Sequence, residues 1–358
     1  MDDAWFAIVM LSVSMYVLLD GYDLGIGTLL LLDRDERRRR EMVEIVATAW
    51  DGNETWLILF GVAAWAGLPT AYGVMLPALY IPLIVMLFSI IARGAAIELI
   101  STANDGVPFR WGLAFGLGSL IASFTQGVAI GGLLSGVTVT DGVFTGHTWD
   151  FLNAYSVLTG LATVVLYATA GAAFLRLKTE GPLRDRAGAA GRVSLGFTAV
   201  LSLVAALSLG ATPTGTHLSS PLRVVFFVIL VVVAVAGGVV AWIGFGRRPD
   251  RLALTGVVAA EVAGLLALLD ILVPRVVPPG LTIGEAGAPG ATFVVLLVGI
   301  GLNIPLVLFY SWYAHHVFRG KYREPQLARP AGLSASAQAL RPSGPPAGVP
   351  STTDGAVS

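Results

Sequence analysis

Cysteine is absent from this 358-residue chain. That excludes thiolate-ligated clusters, cysteine-based zinc sites and disulfides, and leaves the redox compartment unread. Charge is scarce too, at 13%, about half the roughly 25% of soluble domains. Histidine occurs four times. A basic leader is missing: Met1-Asp2-Asp3-Ala4-Trp5 is acidic, and the apolar run behind it is longer than a signal-peptide core, so the first segment is expected to stay in the mature protein. No glycine-rich nucleotide loop is present. What remains is apolar. Hydrophobic residues make up 55% before 43 glycines are added, and mean hydropathy is +0.78. A soluble enzyme, a nucleic-acid binder, a disordered chain and a disulfide scaffold are all disfavoured. The composition is that of an integral membrane protein.

Crossing about 30 Å of hydrocarbon takes roughly 20 apolar helical residues. Nine stretches qualify: 5–32, 50–66, 72–99, 111–134, 151–175, 193–210, 222–245, 252–273 and 292–318. No ten-residue alternating segments suggest a β-barrel. The expected fold is all-α, a polytopic bundle of about nine transmembrane helices. Arg34 and Arg37 to Arg40 lie between spans one and two, and Arg110 between three and four. Arg176, Lys178, Arg184, Arg186 and Arg192 separate five and six; Arg247, Arg248 and Arg251 separate seven and eight. Arg319, Lys321, Arg323, Arg329 and Arg341 follow span nine, and the other side keeps only Arg223 and Arg275. By the positive-inside rule the N-terminus is outside, in the periplasm, and the C-terminus is cytoplasmic. Residues 1–322 form the membrane domain. Met42, Ile45, Val46 and Ala49 mark a short amphipathic helix on its cytoplasmic surface. Residues 323–358, rich in Pro, Ala and Ser, read as a disordered tail. Gly21/Gly25, Gly112/Gly116 and Gly127/Gly131 have the spacing of close helix contacts, a weak signal among so many glycines.

A carboxylate at the centre of a membrane helix costs roughly 2.5–3.5 kcal/mol, so the acids in the spans need a reason. Asp20 and Asp23 share a face of span one; Asp51 and Glu54 share a face at the start of span two; Arg93 and Glu98 end span three. All six fall toward the cytoplasmic side. Crowded, desolvated carboxylates can exchange protons near neutral pH, and Arg93 can hold one of them ionised. The reading is a proton path, with Asp51 first and Trp50 and Asn53 in support. The competing reading leaves Asp51, Glu54 and Glu98 as rim charges, with Asp51 capping its helix. Glu261, alone in span eight, is open between a functional and a structural role. Asp270 is expected to be solvated, and Gln126 to bond between helices. Haem is held in membrane proteins by His, Met, Cys or Tyr. His147 and His217 lie in outer connections, His315 and His316 end the last span, and the available Met residues read as packing. The chain is therefore expected to hold no haem and no metal by itself, though it can press against a partner that does.

Three motifs then carry a resemblance: Asp20-Gly21-Tyr22-Asp23-Leu24-Gly25-Ile26-Gly27, Trp50-Asp51-Gly52-Asn53-Glu54-Thr55-Trp56 and Arg93-Gly94-Ala95-Ala96-Ile97-Glu98. In order and spacing they are similar to subunit II of the cytochrome bd-type quinol oxidases. The match is strongest over the first hundred residues. The resemblance implies a heterodimer in the bacterial inner membrane. Its subunit I would bear the quinol site, two haems b and one haem d. Subunit II would bind no cofactor and would supply part of a cytoplasmic proton path. It places Asp51 and Glu98 in that path, Glu98 standing where many members carry Asp. It leaves room for a small single-span accessory subunit and for bound lipid, and implies no nucleic acid. A stand-alone proton-coupled transporter and a purely structural partner are the competing functions. The transporter is disfavoured because no pair of interrupted helices shows in the sequence.

Overall fold

In hydrocarbon a chain satisfies its own N–H and C=O groups, so long apolar runs propagate as helices. The computed structural model describes residues 2–102, 109–214, 220–247, 249–288 and 290–322. The proposed tail at 323–358, His217 and Arg248 lie outside the described residues. The order is α1 (Asp2–Leu30), α2 (Glu36–Ala47), α3 (Trp50–Gly67), α4 (Pro69–Ala78), α5 (Tyr80–Ser101) and α6 (Phe109–Leu134). A hairpin of β1 (Val139–Thr140) and β2 (Val143–Phe144) leads to α7 (Ala154–Lys178), α8 (Gly181–Leu209), α9 (Pro221–Gly246) and α10 (Arg251–Leu272). A second hairpin, β3 (Arg275–Val277) and β4 (Leu281–Thr282), precedes α11 (Ile283–Ala286) and α12 (Gly290–Leu296). A π-helical turn, Leu297–Gly301, joins α12 to α13 (Asn303–Val317). Among the described residues eight helices are long and apolar enough to span a membrane, or nine if the bent α3–α4 pair is one span.

The expected boundaries need two corrections. Residues 72–78 do not begin the third span. They belong to α4, which is bent 119° from α3 at Leu68. Pro69 has no N–H to continue α3, and it restarts the helix where its fixed φ is tolerated. The ring of Trp5 occupies the inside of the bend, its indole N–H donating to the Ala63 carbonyl at 2.9 Å. The sixth span starts at Gly181 rather than 193, so Arg184, Arg186 and Arg192 ride on a helix instead of a loop. Pro182 at its N-terminus starts it, and nothing before Val193 stops it. The bend at Leu68 is a break the sequence did not show, whereas the π-helical turn lies within one continuous span, Val294–Val317.

α1 is the hub, packed on α3, α6 and α7; α5 lies on α6, α7 on α8, and α9 on α10. α2 has Met42, Val43, Ile45 and Val46 buried under the bundle, and Asp35 caps it by accepting from the Arg38 N–H at 3.0 Å. Two of the three glycine spacings, Gly21/Gly25 and Gly127/Gly131, prove to be real contacts. A Cβ at Gly25 would lie 1.7 Å from the Tyr167 carbonyl oxygen, and one at Gly171 2.5 Å from the Ile26 nitrogen. Gly127 and Gly131 meet α7 in the same way. Asp270 is not solvated: it pairs with Arg223 at 3.3 Å, because each is the nearest counter-charge at that end.

At the start of α10, Asp250 receives Arg184 at 2.5 Å and Lys321 at 3.0 Å, with Arg176 at 3.4 Å. Burial alone would raise its pKa. The hydrogen bonds from Arg184 and Lys321 outweigh burial and hold the carboxyl at about 2.

Gly25→Ala is expected to force α1 from α7 and to cost about 1–3 kcal/mol. The check is a lower thermal unfolding midpoint in detergent, with Gly73→Ala, which meets open space, unchanged. Asp250 has a depressed folded pKa. Its stabilisation is therefore complete above the unfolded value of about 4 and is lost as pH falls toward 2. Asp250→Asn should cost about 1–2 kcal/mol at pH 7, less than the full shift implies because the group is partly solvated. The difference from wild type should vanish in acid unfolding near pH 2.

Candidate functional site

The acidic motifs converge at one end of the bundle, the end closed by α2. Asp20 lies ten residues before the end of α1, about 15 Å along the helix axis. Its face of α1 is covered by α5 and α6, and both Asp20 and Arg93 are fully buried. The pair is bidentate: Arg93 donates through Nη1 to Oδ2 at 3.0 Å and through Nη2 to Oδ1 at 2.7 Å. Two full charges can be kept inside a membrane bundle only in such a geometry, since desolvation costs several kcal/mol per ion.

One turn on, Asp23 is also buried. Its Oδ2 accepts from Asn53 Nδ2 at 2.7 Å, and among the described residues no donor reaches its Oδ1. The Asn53 amide also lies 2.7 Å from the Tyr22 hydroxyl and 3.3 Å from the Leu19 carbonyl. Tyr22 stacks on Phe174 and meets His315 Nε2 at 2.9 Å, while His315 Nδ1 lies 2.8 Å from the Ser311 carbonyl. A carbonyl only accepts, so Nδ1 carries the proton; in the neutral ring Nε2 then accepts from Tyr22. This gives an ordered chain, Asp23–Asn53–Tyr22–His315, from the interior to the end of α13.

The helices are held by what the motifs lack as well as by what they carry. Gly94, beside Arg93, leaves room for the Trp50 ring, and Gly52 leaves room for Tyr310. Trp56 donates to Ser311 Oγ at 3.0 Å, fixing α3 on α13. Glu54 is half-buried on the same helix, within range of the charges of Arg93, Asp20 and Asp51. Asp51 and Glu98 are not brought into this cluster. Both are exposed on the outside of this chain. Nor does Asp51 cap α3, whose N-cap residue is Ala49 without a side-chain bond; Asp51 sits in the first turn, where a carboxylate suits the helix dipole.

A second polar chain enters from the other side. Gln126 of α6 donates to the Tyr16 hydroxyl at 2.8 Å and accepts from the Tyr167 hydroxyl at 2.9 Å. Tyr16 in turn lies within electrostatic range of Asp20, its neighbour one turn along α1. Gln126 thus bonds between helices as expected. Glu261 of α10 is buried near Tyr167, and among the described residues no donor reaches its Oε1. Tyr16 and His315 were not singled out from the sequence. The i,i+4 spacing of Tyr16 to Asp20 could have found the first. Nothing local ties His315 to a tyrosine 293 residues away.

Both ring nitrogens of His315 are engaged, His316 stacks on Trp312 and bonds Arg319, and His147 lies in an exposed loop. Among the described residues no three His, Asp or Glu side chains are grouped to hold a metal ion.

The fold and site define a multi-pass membrane helix bundle with a buried acid–arginine cluster at one end. The family model for cytochrome bd terminal oxidase subunit II matches residues 1–318, and the chain belongs to that family. Cytochrome bd ubiquinol oxidase subunit 2 of Bacillus subtilis (strain 168) is 28% identical over 342 residues, covering 91% of this chain and 98% of that protein. Cytochrome bd-I ubiquinol oxidase subunit 2 of Escherichia coli (strain K12) is 32% identical over 206 residues, 55% of this chain and 54% of that one. The structure of bd oxidase from Geobacillus thermodenitrificans superposes with a TM-score of 0.72 at 16% identity, covering 88% of this chain and 98% of that one, a likeness of fold. The chain is accordingly a subunit of an oxidoreductase and a multi-pass protein of the bacterial inner membrane.

Asp20→Asn should leave Arg93 charged and unpaired in the interior, at a cost of about 3–5 kcal/mol. Thermal unfolding and assembly yield measure it. Adding Arg93→Met should bring stability back toward wild type, since the stranded charge is then gone.

Proposed function

We propose that this chain is subunit II of a quinol:dioxygen oxidoreductase and carries protons inward from the cytoplasm to chemistry housed in a partner, subunit I. The partner's two haems b and haem d supply the redox chemistry, oxidising quinol and reducing dioxygen to water. Two quinols give four electrons to one dioxygen, and the two waters formed take up four protons. Proton supply is therefore part of turnover. The arginine-rich connections favour an N-terminus outside and a cytoplasmic C-terminus. In that orientation the acid cluster opens toward the cytoplasm.

The observation that carries the reading is the unequal treatment of two buried carboxylates. Asp20 is neutralised by a bidentate arginine and positions the helices. Asp23 keeps an oxygen that no donor among the described residues reaches, and is linked through Asn53 and Tyr22 to an imidazole. Asp23 thus has a place for an exchangeable proton, with an imidazole at the far end of the chain. Asp51 stands at the exposed mouth, one turn before Glu54, and Glu98 at the same end of α5. Exposure of these two on a single chain agrees with a route that continues along the face covered by subunit I. Trp50 and Asn53 set the angle at which α3 meets α1 and α5. A purely structural subunit would keep the fold without needing Asp51.

The test is Asp51→Asn in the assembled oxidase. Oxygen uptake with quinol is expected to fall roughly tenfold or more, the scale of a lost proton-transfer group, with haem content retained. Unchanged uptake would remove Asp51 from the path and leave the structural role.

A further inference from the structure

A basic cleft lies at the bundle end where α7 finishes, α8 starts and α9 finishes. Its volume is about 370 Å³, and Arg176, Arg184, Arg192 and Arg247 line it, with Gly188 and Phe245 at its floor. Asp185 also reaches it, but that side chain is 74% exposed and pairs with Arg184. The other acid in range, Asp250, already serves Arg176, Arg184 and Lys321. Four arginines and one carboxylate thus line the cleft, with Asp250 reaching Arg176 and Arg184 from beside it. Among the described residues no carboxylate pairs with Arg192 or Arg247. Arg176 is 4% exposed; its Nε lies 3.4 Å from Asp250 but makes no hydrogen bond among the described residues. Its other end donates to the Arg247 carbonyl at 3.1 Å. The glycines are part of the construction: a Cβ at Gly188 would lie 2.5 Å from the Arg176 guanidinium, and one at Gly246 1.5 Å from that of Arg192.

Such a concentration of guanidinium groups repels itself unless an anion enters. Arginine forks match the oxygens of a phosphate. The surroundings are those of a lipid. α8 and α9 are sparsely buried spans, presenting Val193, Phe197, Val235 and Trp242 outward. The Arg192 guanidinium lies over the Trp242 ring at 6.0 Å, an aromatic–basic pair of the kind found at headgroup depth.

We propose that this cleft binds a phosphate group, and that the phosphate is the headgroup of an anionic membrane phospholipid whose acyl chains lie along α8 and α9. The inference is independent of the proton path and of which leaflet this end occupies.

The test uses the complex purified from its membrane, stripped of lipid in detergent and titrated with phosphatidylglycerol or phosphatidylcholine under native mass spectrometry. Phosphatidylglycerol should bind more tightly than phosphatidylcholine. Each basic side chain near an anionic surface is worth about 5-fold, so R192Q/R247Q should weaken phosphatidylglycerol roughly 30-fold. R192K/R247K should keep most of the affinity. A photoactivatable phosphatidylglycerol should crosslink to α8 and α9 in wild type and lose that crosslink in R192Q/R247Q. Equal binding of the two lipids, unchanged affinity and crosslinking in R192Q/R247Q, or displacement of the lipid by millimolar inorganic phosphate would overturn the proposal, the last because free phosphate would then be the ligand. If the double variant does not assemble, the wild-type lipid comparison, phosphate competition and crosslink position still decide.

Discussion

The Asp20–Arg93 pair constrains everything around it. A carboxylate and a guanidinium, both fully buried among helices α1, α5 and α6, are tolerable only while their two hydrogen bonds hold. Any movement that parted them would strand a charge in a medium without water. The pair therefore fixes the register of α1 against α5, and with it the depth at which Asp23 and Asn53 meet. The small residues serve the same end. Gly25 and Gly171 let α1 and α7 touch backbone to backbone, so that Tyr167, Gln126 and Tyr16 close over the ion pair from the far side.

Charge is distributed in this molecule by depth. In the interior Asp20 and Arg93 hold each other by geometry. At the rim, where water screens, the charges gather in groups: Asp33 with Arg38 beside α2, and Asp250 with Arg176, Arg184 and Lys321. The groups at the rim contain more base than acid. That is the asymmetry from which orientation is read, and it is also what leaves the cleft beside Arg192 and Arg247 short of anions. One compositional bias thus bears on both insertion and lipid contact.

The bend at Leu68 and the π-helical turn before α13 belong to the same economy of backbone polar groups. Irregular backbone is tolerable in a membrane protein only where other protein covers it or water reaches it. Here Trp5 fills the inside of the bend, and α12 and α13 both lie against α3. α3 is therefore held at both ends by other helices, which matters because its first turn carries Asp51, Asn53 and Glu54.

The sequence by itself determined that the chain is a helical membrane bundle, because apolar length and the absence of alternation admit no other way to satisfy a backbone in lipid. It also determined which acids sit at one end, since motif position along a span sets depth. It could not determine partners. That Arg93 takes Asp20 and leaves Asp23 to Asn53, that Tyr22 meets His315, and that Asp51 and Glu98 face outward are consequences of how helices distant in sequence rotate against one another. That rotation is chosen by side-chain and glycine packing across interfaces, to which a single helix's periodicity is blind. Only the tertiary structure could turn six charges at similar depth into one neutralised pair, one acid with room for a proton and a rim left open to a neighbour.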